Sequence, residues 1–240
     1  ENTDTYHNKY AEEWAKLNKE AIEEVGLEAD IVYFSRSGYT NSPGQSTLFW
    51  LGDQLVDWGE NDGIKSAVTG LLSSGMSGFA FMHSDIGGYT SFNVGIGPKI
   101  TRSQELLERW TQMNAFTTVF RTHEGLGPTA NHQFYDDAAS IAHFSKWTKI
   151  YNAWLFYRKQ LVAEAAATGV PVVRHPFLHY PEDENVYALT YQQFMVGDQL
   201  MVAPVTEKGA TTAAIYLPQG EWVNLWDGNE INSSGQAYTI

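Results

Sequence analysis

STLFWLGDQLVDWGENDGIKSAVTGLLSSG, residues 46–75, contains one full unit of the fold that the sequence predicts. An apolar strand over residues 46–53 ends at Asp53, a polar turn follows, and apolar residues then recur at helical spacing up to Gly75. Apolar strands that alternate with helices are typical of a parallel sheet covered by helices. The stretch therefore predicts an α/β protein with a polar residue at the end of a buried strand.

The tetrapeptide GDQL occurs at residues 52–55 and again at 197–200, so its spelling alone assigns no function to Asp53. Asp198, in the second copy, leads into the apolar run LMVAPV and is not followed by a helix. This context predicts a turn between β-strands, with a structural role for Asp198.

The strand–helix unit recurs along the first 170 residues. Predicted strands cover residues 30–38, 46–53, 78–85 and 117–125. Predicted helices cover residues 9–25, 63–75, 103–116 and 136–169. After Gly169, short strands and turn pairs replace the helices, which indicates a β-rich module.

The composition is that of a globular protein with an acidic surface. The 240 residues are 43% hydrophobic and 14% aromatic, and the formal net charge is -13. Such acidity argues against nucleic acid or an anionic membrane as a partner, because a polyanion would be repelled. The absence of cysteine excludes disulfides, thiolate metal sites and a cysteine nucleophile. Because the chain starts without Met, we interpret its start as internal or processed.

Each predicted strand ends in a polar, reactive residue: Arg36, Asp53, Asp85 and His123. In a (β/α)8 barrel the carboxyl ends of the strands open on one face, where active sites are assembled. Taken singly, each residue has a structural explanation, such as a helix cap, a salt bridge or a turn. Taken together, two carboxylates, an arginine and a histidine around one opening match the needs of a glycoside hydrolase.

At these residues the sequence resembles glycoside hydrolase family 31, the retaining α-glucosidase-type enzymes. The matching segments extend over nearly the whole chain and are HNKYAEEWAKLNKEAIEE, LFWLGDQLVDW, GLLSSGMSGFAFMHSDIGGYTSF, FRTHEG, HPFLHYPED and QFMVGDQLMVAPV. The resemblance implies that Asp53, in the Trp-x-Gly-Asp motif, is the general acid/base.

The resemblance also implies a binding site for the sugar in subsite −1. Arg36 and Trp50 would line this subsite, and Asp85 and His123 would hydrogen-bond the sugar hydroxyls. The chain departs from the usual family pattern at Gln54 and Tyr89. At these two positions it resembles the bacterial sulfoquinovosidases within the family.

Gln54 replaces the Asn that follows the acid/base Asp in most members, and Tyr89 stands where α-glucosidases usually carry Phe. In the sulfoquinovosidases this Tyr helps bind the sulfonate at C6, a role that the resemblance implies for Tyr89. A phenol can donate a hydrogen bond to a sulfonate oxygen, whereas a phenyl ring cannot.

The catalytic nucleophile of the family, an Asp at the end of the fourth barrel strand, would lie upstream of residue 1. The resemblance therefore implies that residues 1–170 form strands five to eight of a (β/α)8 TIM barrel. Residues 171–240 would begin the C-terminal β-sandwich. An upstream half of the same enzyme would be the partner of this chain.

The function that the resemblance implies is that of a retaining α-glycoside hydrolase, with an α-sulfoquinovosidase favoured. An α-glucosidase or α-xylosidase acting on neutral sugars is the first alternative. A non-catalytic carbohydrate-binding half-domain is the second, because the nucleophile is absent. The expected ligand is a small-molecule glycoside, and neither a metal nor an organic cofactor is implied.

Overall fold

The computed structural model describes residues 3–92 and 99–240. Its α-helices are α1 (Thr3–Tyr6), α2 (Lys9–Glu24), α3 (Ile64–Met76), α4 (Gln104–Asn114), α5 (Ala138–Ala153) and α6 (Leu155–Thr168). Its strands are β1 (Phe34–Ser35), β2 (Leu48–Trp50), β3 (Met82–His83), β4 (Val173–Arg174), β5 (Phe194–Val196), β6 (Leu200–Val202), β7 (Ala214–Leu217), β8 (Gly220–Val223), β9 (Glu230–Ser233) and β10 (Gln236–Thr239). Short 3₁₀ helices cover Ser42–Gly44, Pro176–Leu178 and Glu184–Ala188.

The first three strands form a parallel sheet in the order β1–β2–β3. A parallel bridge between Ile86 and Thr122 continues this order into the fourth predicted strand. The prediction of alternating strands and helices is thus confirmed, and the protein is α/β. Because parallel strands run in the same direction, their carboxyl ends lie at one edge of the sheet.

The fourth predicted strand, residues 117–125, is not a regular strand, and this prediction was wrong in extent. The carbonyl of Thr117 accepts a hydrogen bond from Arg158 Nε, at 3.2 Å, and the carbonyl of Thr118 accepts one from the Tyr151 hydroxyl, at 2.9 Å. Side chains of α5 and α6 therefore take acceptors that a neighbouring strand would otherwise use.

The single helix predicted over residues 136–169 is divided at Trp154 into α5 and α6. Arg158 explains the break, because its Nη1 donates to the carbonyl of Tyr151, at 2.9 Å, and its guanidinium lies 3.7 Å from the Tyr151 ring centroid. A side chain inserted into the hydrogen-bond ladder is a common cause of a helix interruption.

Helix α2 forms as predicted, but its apolar face is exposed. The side chains of Tyr10, Trp14 and Leu17 on that face, and that of Val25 directly after the helix, are each more than half exposed. The opposite face contacts the loop before β2, where the Glu12 carboxylate accepts hydrogen bonds from Asn41. The described residues thus leave an amphipathic helix with its apolar side uncovered.

The hydrophobic core lies between the parallel sheet and helices α3 and α4. Ile64, Leu71, Ile86, Leu106 and Trp110 are at most 1% exposed. The apolar spacing that predicted the two helices points the four helical residues of this set inward, and Ile86 joins them from the segment after β3.

The residues after Gly169 form a β-rich module, as predicted. Strands β4, β5 and β6 form an antiparallel sheet, and β7 pairs with β10 and β8 with β9, also antiparallel. Asp198 lies in the turn between β5 and β6, which confirms its predicted position. The domain boundary at residue 170 stays a prediction.

We expect Gly88→Ala to lower the free energy of unfolding by ~3 kcal/mol, because two penalties combine. Gly88 has φ +74°, and an added Cβ would lie 2.9 Å from the Leu55 carbonyl oxygen and 3.0 Å from that of Gln54. Gly26 is the matched control, since it has φ +67° but no atom within 4 Å of an added Cβ. Gly26→Ala should cost only ~1–2 kcal/mol. Urea unfolding measures both variants, and equal losses would contradict the backbone contact at Gly88.

Candidate active site

The structure brings the four strand-end residues together. Arg36 Nη1 donates to Asp53 Oδ2 at 3.0 Å, and these two side chains are 55% and 38% exposed. The charges of Asp53 and His123 both act on the carboxyl of Asp85. The parallel sheet explains the arrangement, because it carries the ends of β1, β2 and β3 to one edge.

Asp85 is a buried carboxylate with an arginine partner. It is 1% exposed, and its Oδ1 lies 2.7 Å from Arg121 Nη1. Burial raises the pKa of Asp85, whereas Arg121, His123 and the nearby Trp50 indole oppose that rise. Within the described residues neither carboxylate oxygen receives a hydrogen bond of regular geometry. Asp85 therefore has acceptor capacity left for a ligand hydroxyl.

The buried imidazole of His83 contacts the guanidinium of Arg121. Its Nε2 lies 3.1 Å from Arg121 Nη1, and its Nδ1 lies 3.1 Å from the Phe49 carbonyl oxygen. Because a guanidinium only donates, Nε2 is the acceptor and Nδ1–H donates to Phe49. Burial, and then the charge of Arg121, lower the pKa of His83 to about 4. A neutral imidazole thus links the backbone of β2 to the arginine that faces Asp85.

The Trp50 ring lies close to both arginines. The guanidinium carbon of Arg36 is 5.6 Å from its ring centroid and that of Arg121 is 5.5 Å away. Arg121 also lies 5.1 Å from the ring of Phe34. The Trp50 indole N–H is buried and has no hydrogen-bond partner in the part of the chain that the structure describes. It is close enough to Asp85 to favour the carboxylate, but it does not complete a regular hydrogen bond.

Gln54, a predicted substrate-binding residue, lies against helix α3. Its Nε2 donates to Ser66 Oγ at 3.2 Å, and the side chain is buried. Its backbone carbonyl accepts hydrogen bonds from the N–H groups of Tyr89, at 2.8 Å, and Thr90, at 2.9 Å. The Thr90 hydroxyl also donates to the carbonyl of Asp53, at 2.7 Å. Gln54 therefore joins the Asp53 loop to the Tyr89 loop.

Tyr89 and His123 meet edge to face, with ring centroids 4.8 Å apart and an interplanar angle of 89°. The backbone N–H of Gly125 donates to His123 Nδ1 at 3.0 Å. Because Nδ1 is the acceptor, a neutral His123 carries its proton on Nε2 and can donate from there. The two side chains that were predicted from separate motifs thus form one unit.

Sequence reasoning missed Arg121, His83 and Arg102. Arg121 stands two residues before His123, inside the FRTHEG segment, and that spacing on an extended chain was the available signal. His83 has no such signal, because its importance depends on pairing between β2 and β3. Arg102 precedes helix α4 and reaches the site only through the fold.

Within residues 3–92 and 99–240, no group of three or more His, Cys, Asp and Glu side chains is arranged to hold a metal ion. Over the same residues, no helix combines the length and the apolar character that a membrane span requires.

Comparison with known proteins gives consistent matches along the chain. The profile of the glycosyl hydrolases family 31 TIM-barrel domain matches residues 1–162, and that of the family 31 C-terminal domain matches residues 169–240. A sulfoquinovosidase of Escherichia coli K12 is 44% identical, over 94% of this chain and 34% of its own length. One of Agrobacterium fabrum is 43% identical, over 98% of this chain and 34% of its own length.

A solved structure is also similar. A family 31 sulfoquinovosidase from E. rectale, in complex with an aza-sugar inhibitor, has a TM-score of 0.94 and 40% sequence identity. The match covers 100% of this chain and 35% of that one. The chain thus spans about a third of the length of the relatives that it matches.

We expect His83 to make the fold less stable as the pH falls from about 6.5 to about 4. In this range the unfolded chain binds a proton at His83 that the folded protein does not bind, so protonation favours unfolding. Above this range both states are neutral at His83, and the effect disappears. The loss should reach on the order of 3 kcal/mol near pH 4.

Urea unfolding of the natural protein and of His83→Gln, each at several pH values, measures this effect. The raised pKa of Asp85 gives the opposite trend, but both proteins retain Asp85, so their difference isolates His83. Parallel pH profiles for the two proteins would show that His83 is not a buried neutral base.

Proposed function

The chain belongs to glycoside hydrolase family 31, and we propose that it supplies the acid/base part of the active site of a retaining α-glycosidase. The observation that carries the proposal is the pair of Asp53, accessible and held by Arg36, with the buried Asp85 that is held by Arg121. One carboxylate faces solvent and substrate, while the other is fixed. This division of environments suits two different roles.

In the proposed reaction Asp53 transfers a proton twice. It first donates its proton to the glycosidic oxygen as a nucleophilic carboxylate attacks the anomeric carbon, so the leaving group departs as an alcohol. The Asp53 carboxylate then takes a proton from water, whose oxygen attacks the anomeric carbon and releases the enzyme carboxylate. Arg36 stabilises the carboxylate form of Asp53 between the two steps.

The sugar in subsite −1 would bind against Asp85, His123 and Trp50. Asp85 offers carboxylate oxygens with free acceptor capacity, and the buried Trp50 N–H is a donor without a partner among the described residues. His123 offers Nε2–H. Donors and acceptors of this kind match the hydroxyl groups of a pyranose.

The nucleophile would come from an upstream half of the enzyme, corresponding to the part of the relatives that this chain does not span. Retaining chemistry needs two carboxyl groups about 5–5.5 Å apart. The uncovered apolar face of α2 and the edge strand β1 support the proposal of a partner segment at this side. On this proposal residues 1–170 are strands five to eight of the barrel, and residues 171–240 begin the β-sandwich.

We infer that the substrate is an α-sulfoquinovoside, such as sulfoquinovosyl glycerol. Tyr89 supports this inference, because its phenol can donate to a sulfonate oxygen and its loop is tied to the Asp53 loop through Gln54. The similarity to the two bacterial sulfoquinovosidases agrees with this substrate class.

We expect Asp53→Asn to lower turnover of an alkyl α-sulfoquinovoside by the complete enzyme by about 10²–10⁴-fold, since an amide cannot transfer the proton. For a substrate whose leaving group departs without protonation, Asp53→Asn should slow the first step, cleavage of the glycosidic bond, by a smaller factor. Asp198→Asn is the matched control, because it alters the second GDQL copy, at the β5–β6 turn, and should leave turnover unchanged. Equal losses for both variants would reject the acid/base role.

Steady-state hydrolysis of aryl α-sulfoquinovoside and aryl α-glucoside tests the substrate class. The natural enzyme should prefer the sulfonated sugar, and Tyr89→Phe should lower kcat/KM for it about tenfold or more, the value of one hydrogen bond to a charged group. Turnover of the glucoside should change little. Equal or faster turnover of the glucoside by the natural enzyme would instead favour a neutral-sugar glycosidase.

A further inference from the structure

Arg102 is a buried cation that reaches two loops of the proposed site. It is 3% exposed. Its Nη1 donates to the carbonyl of His123 at 2.8 Å and to the carbonyl of Gly88 at 3.3 Å. Gly88 directly precedes Tyr89, so one guanidinium nitrogen connects the backbone of the Tyr89 loop to that of the His123 loop.

The other donors of Arg102 fix its own position. Nε donates to the carbonyl of His132 at 2.8 Å, and Nη2 donates to Gln133 Oε1 at 2.7 Å. The backbone N–H of Arg102 donates to Asn131 Oδ1 at 2.9 Å. The planar guanidinium of Arg102 donates to several loop acceptors at once. A lysine ammonium cannot reproduce this arrangement of donors.

The residues that hold Arg102 also hold the segment after His123. Gln133 Nε2 donates to the carbonyl of Glu124 at 2.9 Å. The N–H of Leu126 donates to the carbonyl of Tyr89, again at 2.9 Å. Residues 123–126 are therefore linked to the Tyr89 loop directly, and to Arg102 both directly, at His123, and through Gln133.

The backbone beside Arg102 is packed closely. A Cβ added at Gly87 would lie 2.5 Å from Arg102 Cδ, and Gly87 has φ +86°. Because Gly87 of the DIGG segment has no side chain, the space beside it is free for the side chain of Arg102. The site requires both the arginine and the absence of a side chain opposite it.

Arg102 forms no ion pair among the described residues, unlike Arg36 and Arg121. Arg36 pairs with Asp53 and Arg121 with Asp85, whereas no described carboxylate lies within 4.0 Å of Arg102. Burial lowers the pKa of Arg102 to about 10, so it stays protonated at neutral pH. Its hydrogen-bond partners are neutral acceptors, and the carboxylates of Asp136, Asp85 and Glu124 act on its charge from farther away.

We propose that Arg102 is a positioning residue for substrate specificity, which holds Tyr89 and His123 in the edge-to-face arrangement that binds a sulfonated sugar. This proposal rests on the proposed function of the site. Arg102 itself is not a catalytic residue, because it acts through the loops that it connects. Its loss should release Tyr89 from the position that meets the sulfonate, and that position requires sub-ångström support.

The first test is independent of activity and uses hydrogen exchange in the complete protein. Arg102→Met should make the amides of Tyr89 and Leu126 exchange at least about tenfold faster, because both loops lose their common anchor. Arg158→Met is the matched control, since Arg158 is also buried and also donates to backbone carbonyls, but to those of Ala115, Thr117 and Tyr151 and not to those of Gly88 and His123. It should not affect exchange at these two amides. Unchanged exchange in folded Arg102→Met would overturn the proposal.

The second test is a double-mutant cycle with Tyr89→Phe, measured as the ratio of kcat/KM for aryl α-sulfoquinovoside to that for aryl α-glucoside. Arg102→Met should lower this ratio about tenfold in the natural background and leave it unchanged when Tyr89 is already Phe. Arg158→Met should lower thermal stability but not the ratio. Equal changes in both backgrounds would overturn the proposal.

Arg102→Lys retains the positive charge but lacks the planar set of guanidinium donors. It replaces Arg102→Met in both tests if Arg102→Met does not fold. We expect its ratio and its exchange rates to lie between those of the natural protein and Arg102→Met. Natural values for both measurements would overturn the positioning role. A natural enzyme that hydrolyses neither substrate would reject the proposed function, while the exchange test would still decide whether Arg102 anchors the loops.

Discussion

The ion pair between Asp85 and Arg121 is the constraint on which the rest of the site depends. A carboxylate that is 1% exposed is costly unless a cation compensates it, and removing one member of a buried pair costs about 3–5 kcal/mol. Arg121 can stay opposite Asp85 because the neutral His83 accepts from it and is itself held by the Phe49 carbonyl. The pairing of β2 with β3 therefore sets the position of a side-chain charge that belongs to neither strand.

The second arginine–carboxylate pair differs from the first in its exposure, and this difference supports the different roles proposed for the two carboxylates. Arg36 and Asp53 are both partly open to solvent, so their hydrogen bond can be remade during a reaction. Asp85 cannot exchange protons with solvent as easily, and it is suited to a constant hydrogen-bonding role. The Trp50 ring lies close to the guanidinium groups of both pairs, 5.6 Å from that of Arg36 and 5.5 Å from that of Arg121.

The sequence predicted those parts of the structure that depend on local periodicity. The sequence identified the strand-end residues Arg36, Asp53, Asp85 and His123 because a parallel sheet places the carboxyl ends of all its strands at one edge. The predictions failed where a side chain from a distant helix took a backbone acceptor, as Arg158 does at Thr117. They also missed Arg102 and His83, whose contacts join segments that lie far apart in the chain. Periodicity cannot report such contacts, since it describes only one element at a time.

The two copies of GDQL show how the same four residues acquire different surroundings. Gln54 in the first copy accepts two backbone hydrogen bonds from the Tyr89–Thr90 segment, and Thr90 also donates to the carbonyl of Asp53. Asp198 in the second copy lies in an antiparallel turn, where its carboxylate accepts from the Tyr157 hydroxyl at 3.3 Å. In the first copy the loop backbone therefore couples the proposed proton donor to the proposed sulfonate-binding tyrosine. On the proposed function, proton transfer by Asp53 and substrate choice by Tyr89 would therefore depend on the same backbone hydrogen bonds.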